Sequence, residues 1–380
     1  MLIREKTQII FSKDTIVKIF GISLTWLLFV GPVLFLPISD WDARSIWFLH
    51  AKMIYYAGSL SQNSGWADPS IFFSHSDYPN LIPALAAQFT YLFGIWNEYL
   101  PKISLLFLLL PAIISVFSFY ERSFAFLFLV LIIPISISSK LWNGYMDGYL
   151  TFYFALSMLY LTRYYNQSET IDIISSIISL IILVYLKNEG LLAILAGGLA
   201  FTLLFIMKKT KIPLRLLLLG NWRNIVIGIL LLIPFVIWGY YKQVWGLTND
   251  LAIGSNSSFQ QFISRIHDGS YKIILNGIHN QLNNGLMLFG FLFFGALGLR
   301  KKIPRGIIFV LFAAFIYCLG IFSIYMITPR DLEWHLRTSI DRTILTVTSC
   351  FYIASYLMIS AFENKSKHRK IMRINFFDNN

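Results

Sequence analysis

Charge is what this sequence has least of. Only 13% of its 380 residues are Asp, Glu, Lys or Arg while 57% are hydrophobic, too little polar surface to coat a water-soluble fold. A mean hydropathy of +0.65 assigns the chain to a bilayer instead. Cysteine is nearly missing. Cys318 and Cys350 each lie inside an apolar run, which speaks against a disulfide framework. There is also no Walker A loop, no dinucleotide-binding glycine fingerprint and no Gly-x-Ser-x-Gly elbow. The six histidines are scattered without metal-ligand spacing, so ATP-driven and zinc-hydrolytic chemistries have no foothold. No internal repeat, heptad pattern or Gly/Ser linker divides the chain, and residues 1–380 read as one membrane domain.

Aromatics are abundant, with 34 Phe, 20 Tyr and 10 Trp, as expected where rings face lipid and sit at both interfaces. The net charge of +12 is not a nucleic-acid signal, because the basic residues concentrate in short loops between apolar runs, where they set topology. The partner they imply is the lipid bilayer. The first run follows Arg4, Lys6, Lys13 and Lys18 but lacks a small-x-small cleavage site, and is expected to be a retained first span.

A helix needs about twenty apolar residues to cross the hydrocarbon core. Runs at 16–38, 99–119, 123–139, 148–165, 170–186, 190–207, 224–241, 281–299, 306–327 and 343–362 predict about ten spans in an all-α polytopic membrane protein. The stretch 79–94 is apolar but only sixteen residues long, which suits a short span or a helix in the interface. Charge decides. The densest basic clusters are the N-terminus, the group Lys208, Lys209, Lys211, Arg215 and Arg223, the run Arg300, Lys301, Lys302 and Arg305, and the tail 365–373. Placing all of them in the cytoplasm requires 79–94 to lie flat. About 20 of the 31 Lys and Arg then fall inside, and about 12 of the 19 Asp and Glu outside. The expected protein is multi-pass in the plasma (inner) membrane with both termini cytoplasmic. Its long first external loop, 39–98, holds two juxtamembrane helices, 43–58 and 79–94. The first shows helical spacing at Ile46, Leu49, Met53 and Ala57. A second external loop, 242–280, is rich in Gly, Asn and Ser and carries little information.

Five polar motifs fall on the same outer face of that topology. The first is WDARSIWFLHAK, 41–52, in which Asp42 is a candidate general base at the membrane edge, with Arg44 keeping it ionised and Lys52 three turns along. Capping of the helix beginning at Ala43 is the plain structural alternative, and both roles can coexist. HSDYP, 75–79, offers His75, Asp77 and Tyr78 to a polar headgroup, or else is a capped helix start with Pro near its first position. WNGYMDGY, 142–149, sets Asp147 where helix amides stabilise an anion, with capping again the alternative. Lys187, Asn188 and Glu189 are squeezed between two spans, where ionisable groups are costly; a self-neutralising hairpin is the bland reading. TPRDLEWHLRTSIDR, 328–342, is the densest polar patch. Arg337 and Arg342 have the fork geometry to clamp a phosphate, with His335 and Asp341 ordering them, against the reading as a solvated loop.

At these residues the chain resembles the GT-C superfamily of membrane glycosyltransferases, in the branch related to the family 39 protein mannosyltransferases and the Rgt-type sugar transferases. The five motifs run in order from 41 to 342. The resemblance implies a GT-C type bundle with juxtamembrane helices in the first external loop, a polyprenyl-phosphate sugar donor, and a glycan, lipid or protein acceptor. Asp42 matches the acidic catalytic position, Asp147 the acidic residue of the second external loop, and 75–79 the His-Pro-Pro-type start of the second juxtamembrane helix. Ser76 and Asp77 stand where the first proline and its neighbour would be. No cofactor is expected. Asp42, Asp77 and Asp147 are the carboxylates that would gather round a divalent cation if one takes part, and metal-free chemistry is preferred. The expected reaction is inverting transfer to an acceptor hydroxyl, the donor phosphate being held by Lys52, Lys187, Arg337 or Arg342. The main competing reading is a transporter or flippase for a lipid-linked or anionic substrate. That reading calls for polar residues through mid-span and paired interrupted helices.

Overall fold

One antiparallel helix pair decides how the first hundred residues are arranged. In the computed structural model, which describes residues 12–61, 65–208, 222–247 and 256–377, helix α1 (Lys13–Phe35) packs along α4 (Ile103–Phe117). Trp26 Nε1 donates to Leu106 O at 3.2 Å, and the buried Lys102 ammonium donates to Pro32 O at 3.1 Å and Leu36 O at 2.9 Å. Lys102 thereby satisfies the Leu36 carbonyl that the end of α1 leaves open and adds a second donor to Pro32 O. Ile38 N donates to Glu98 O at 3.0 Å, so the connection 39–98 leaves and rejoins the bundle at the same end.

That connection is itself helical. A π-helical turn (Ala43–Trp47) leads into α2 (Phe48–Ala57), which stops at Gly58 in the left-handed conformation with φ 72°. A 3-10 turn (Pro69–Ser74) follows, then α3 (Leu81–Phe93), stopped in the same way at Gly94. α2 packs on α3, and Tyr91 Oη donates to Tyr55 O at 2.5 Å. α3 has 13 residues. At 1.5 Å per residue it reaches roughly 20 Å, well short of a hydrocarbon core of about 30 Å.

The remaining helices alternate between the two ends of the bundle. α5 (Phe124–Ser136) starts where Glu363 accepts from Phe124 N and Ala125 N at 2.9 and 3.1 Å, a cap supplied by a distant helix. The short α6 (Ser138–Trp142) ends it. α7 (Met146–Gln167) and α8 (Thr170–Leu183) form an antiparallel hairpin pinned by Ser157 to Ser176 at 2.9 Å and Arg163 to Asp172 at 2.7 Å. α9 (Gly190–Lys208), α10 (Trp222–Val244), α11 (Asn256–His267), α12 (Tyr271–Gly298), α13 (Gly306–Ile327), α14 (Leu332–Thr343) and α15 (Leu345–Phe377) complete the chain. The described residues contain no strand.

Seven helical stretches are long and apolar enough to cross a membrane: Lys13–Phe35, Leu100–Phe117, Gly190–Lys208, Val226–Val244, Tyr271–Gly298, Gly306–Ile327 and Leu332–Glu363. The chain is thus a multi-pass membrane protein. The expected spans 123–139, 148–165 and 170–186 appear as α5 (13 residues), α7 (22 residues) and α8 (14 residues). α7 is long but carries Asp147, Arg163 and several Tyr, and its side chains are nearly all buried. It touches α4, α6, α8, α9, α13, α14 and α15, so its neighbours rather than its own composition screen it from the surroundings.

Two elements depart from the sequence expectation. α12 begins at Tyr271, ten residues before the apolar run, because its polar first turns pack on α14, where Gly277 approaches Ile340 and Leu336. The patch 328–342, read as a loop, is largely the helix α14, capped by Asp331 Oδ1 accepting from Trp334 N at 2.8 Å. Of the basic clusters, Arg4, Lys6, Lys209, Lys211 and Arg215 lie outside the described residues, as do the side chains of Arg223 and of the tail 365–373.

Candidate functional site

The end of the bundle that carries α2, α3 and α14 gathers at least one residue from each of the five motifs. Three backbone features bring them there. The π-helical turn after Asp42 widens the helix and leaves that carboxylate without a capping bond, although Asp42 occupies the cap position. Gly144, at φ 95°, presses on the same turn; a Cβ there would lie 2.7 Å from Ala43 Cβ, so only glycine lets the 142–147 segment sit against it. Gly190 does the same for the turn between α8 and α9, where a Cβ would stand 2.0 Å from Leu183 O.

The result is a chain of buried charges. The Arg342 guanidinium is bonded to Asp42 Oδ2 and lies 3.5 Å from Asp147 Oδ2. Lys187 Nζ donates to Asp147 Oδ1 at 2.9 Å and meets Glu189 Oε1 at 3.0 Å. Asn188 Nδ2 donates to Asp77 Oδ2 at 2.6 Å, and Trp238 Nε1 donates to the Asp77 carbonyl at 3.2 Å. The Lys187–Asp147 pair is almost sealed, with side chains 8% and 7% exposed. Burial alone would push the Lys187 ammonium down, but the Asp147 and Glu189 carboxylates carry it well above the ordinary lysine value. Lys187 is therefore a permanent cation. Three carboxylates, those of Asp42, Asp147 and Glu189, share two cations, Lys187 and Arg342, while Asp77 is held by the Asn188 amide.

Tyr145 borders this network, with Arg342 4.5 Å and Lys140 4.7 Å from its ring. Burial, and next the Asp42 carboxylate, push its hydroxyl above the ordinary tyrosine value, so it stays a neutral donor. Tyr78 is buried between Trp47, at 5.5 Å, and His75, which stacks on it at 4.8 Å.

The other candidates lie elsewhere on this end. Asp341 is half-exposed and 3.6 Å from Lys140. His335 faces Thr328 Oγ1 at 2.9 Å and packs against Tyr325, whose hydroxyl bonds to Ser339 and Thr343. Arg337 is exposed and joins no ion pair among the described residues. Arg337 and Arg342 do not form a clamp, because five residues turn a helix by roughly 140° and only Arg342 faces inward. Lys52 sits outside the network, 5.9 Å from the Trp96 ring in a separate cleft with Arg44.

Several contributors carry no obvious sequence signal. Arg265, in the uninformative loop, is buried and donates to the carbonyls of Tyr325, Thr328 and Arg330, fixing the turn from which α14 projects Arg342. Its place on an amphipathic helix among Gly, Asn and Ser was the available hint. His50 is wholly buried, with Nε2 2.9 Å from Ser74 Oγ, and burial pushes it down to about 3. It is a neutral support for the 3-10 turn ahead of His75.

Among the described residues no three His, Cys, Asp or Glu side chains are arranged to hold a metal ion. What the arrangement supplies is a carboxylate bonded to an arginine, a second carboxylate locked to a lysine, and a phenolic donor, all at one end of the bundle. No family model, curated protein or solved structure matches this chain.

Proposed function

We propose that this protein is an inverting membrane glycosyltransferase of GT-C type that moves a sugar from a polyprenyl-phosphate donor to an acceptor hydroxyl. The bundle crosses the bilayer ten times, α5, α7 and α8 joining the seven longer apolar stretches. Both termini are cytoplasmic in the plasma (inner) membrane, in keeping with the basic residues Lys13, Lys18, Arg300, Lys301, Lys302 and Arg305 at the end opposite the charge network.

The observation that carries the reading is the Asp42–Arg342–Asp147 contact at the mouth formed by α2, α3 and α14. Arg342 orients Asp42. Asp42 takes the proton of the acceptor hydroxyl while that oxygen attacks the anomeric carbon, and the polyprenyl phosphate leaves with the bonding electron pair. A single displacement inverts the anomeric centre. Asp147 holds Arg342 in place, and Lys187 anchors Asp147.

The test is transfer from radiolabelled polyprenyl-phosphate hexoses in membranes carrying wild type or Asp42→Asn. Loss of a general base lowers the rate by about 10²–10⁴-fold. Equal transfer by the two proteins removes Asp42 from the mechanism, and no transfer by wild type with any donor returns the choice to a transporter.

A further inference from the structure

The end of the bundle opposite the charge network holds a cleft that sugar transfer does not use. α4 ends at Phe117, α7 ends at Gln167, and α15 passes both. Between them lies a space of ≈ 410 Å³ walled by Glu121, Arg163, Asn166, Gln167, Tyr356 and Ser360. α7 starts at the network and has 22 residues, so at 1.5 Å per residue the two sites stand roughly 30 Å apart.

The unmet charge in this cleft is negative. Arg163 is the one cation that lines it among the described residues, and its guanidinium is fully engaged. Nε and Nη2 meet Asp172 Oδ1 at 2.8 and 2.7 Å, Nη1 donates to Ser118 O at 2.9 Å, and the plane lies 4.0 Å from the Phe119 ring. An incoming anion therefore finds no open cation. Glu121, by contrast, is exposed and joins no ion pair among the described residues. Two helix C-termini add to its field, and both already draw cations: Arg163 to Ser118 O beyond α4, and Lys208 Nζ to Tyr164 O at 3.0 Å in the last turn of α7.

Tyr356 is the second observation. It is only 8% exposed, it lines the cleft within electrostatic reach of Glu121, and its hydroxyl makes no hydrogen bond among the described residues, although a buried phenol ordinarily finds a partner. The side chains of Asn166, Gln167 and Ser360 make none either. The walls thus offer one carboxylate and several neutral oxygen acceptors. A divalent metal ion asks for more carboxylates in a tighter space, and a quaternary ammonium brings no N–H. A primary ammonium, with three donors on one positive centre, matches the set.

We propose that this cleft binds a primary ammonium group, carried by the headgroup of an ethanolamine lipid or by a soluble amine. Glu121 takes the charge, and Tyr356 Oη with the Asn166 and Gln167 amide oxygens accepts the remaining N–H bonds. The site lies away from the Asp42–Arg342–Asp147 contact and does not depend on the transfer reading.

Equilibrium binding to the full-length protein in neutral detergent tests this, with ethanolamine and choline each supplied free and as the short-chain phosphatidyl lipid. The ethanolamine forms are expected to bind about tenfold more tightly than their choline counterparts. Glu121→Gln is expected to weaken them about tenfold and Tyr356→Phe about threefold. Glu169→Gln, which removes an exposed carboxylate at the same end but outside the cleft, leaves binding unchanged. Glu121 is itself exposed, so its substitution spares the packed interior, and Tyr356→Phe keeps the buried ring. Tighter binding of the ethanolamine lipid than of free ethanolamine assigns the site to a headgroup; equal or weaker binding assigns it to a soluble amine. The proposal is overturned if neither ethanolamine form binds, if the choline forms bind as well, or if Glu121→Gln loses no more affinity than Glu169→Gln. Asp42→Asn keeps this binding whether or not transfer fails, so the two readings stand or fall separately.

Discussion

Arg342 is bonded to Asp42, a residue 300 positions earlier in the chain, at the end of the bundle that carries α2, α3 and α14. Both side chains are largely buried, at 13% and 12% exposure, and Arg342 also reaches Asp147. Removing the arginine strands the Asp42 carboxylate and leaves Asp147 to Lys187 alone. Arg342→Met is expected to lower stability by about 3–5 kcal/mol, and Arg342→Met/Asp42→Leu to recover part of that, because an apolar pair has no desolvation to offset. Thermal or denaturant unfolding in detergent reads the difference; a double variant no better than the single one refutes the coupling.

Lys187 gives a pH prediction. Its folded value is raised by Asp147 and Glu189 after burial is overcome, so the stability it contributes is fully present below the unfolded value of about 10.4 and is lost only as pH rises through the folded one. Unfolding midpoints of wild type and Lys187→Met should therefore differ by a constant amount from pH 6 to 9. A gap that shrinks within that window contradicts the assignment.

His50 works in the opposite direction. Its folded value is held down at about 3 by burial, and next by His75, whereas the unfolded side chain titrates near 6.5. The unfolded chain binds the proton more tightly, so stability falls as pH drops from about 6.5 towards 3, by about 1.4 kcal/mol per pH unit. His50→Gln should abolish that slope relative to wild type, and identical acid profiles for the two would show that His50 is not buried neutral.

Gly190→Ala tests the turn that aims Lys187 and Glu189. The added methyl meets the Leu183 carbonyl at 2.0 Å, a backbone atom that no rotamer change can clear. A loss of about 1–3 kcal/mol is expected, together with reduced transfer, whereas Gly198→Ala, with open space at its Cβ, should leave both unchanged.

A good part of the arrangement was legible in the amino acids. The apolar runs mark where the long helices lie because burial against lipid demands continuous hydrophobicity over a fixed length, although α12 starts well before its run and α15 continues well past it. Helix α3 was legible by its shortness and by the placement of basic residues. In the backbone, Ile38 and Glu98 tie both ends of that connection together. α7 was harder. Its run, 148–165, was legible as a span, but its Tyr, Thr and charged residues reflect neighbours, because hydropathy reports what faces lipid and α7 faces protein.

The motifs could be found but not joined. Asp42, Asp77, Asp147, Lys187 and Arg342 stand out in sequence because charges are rare there and cluster at span ends. Which cation meets which carboxylate depends on helix phase. That phase sends Arg342 inward and Arg337 outward on one helix that the sequence did not announce. Lys52 was grouped with the charge network by sequence, while the structure sets it in a different cleft with Arg44.

Composition and hydrophobic run length by themselves made this a helical, multi-pass membrane protein, since unpaired backbone groups are intolerable in hydrocarbon and only helices of fixed length satisfy them in a chain of this pattern. Tertiary structure alone decided the partners. Pairing between distant side chains is set by ångström-scale approach, through Gly144 against Ala43, Gly190 against Leu183 and Arg265 beneath α14, and electrostatic energy in a buried site varies too steeply with distance for sequence position to encode it.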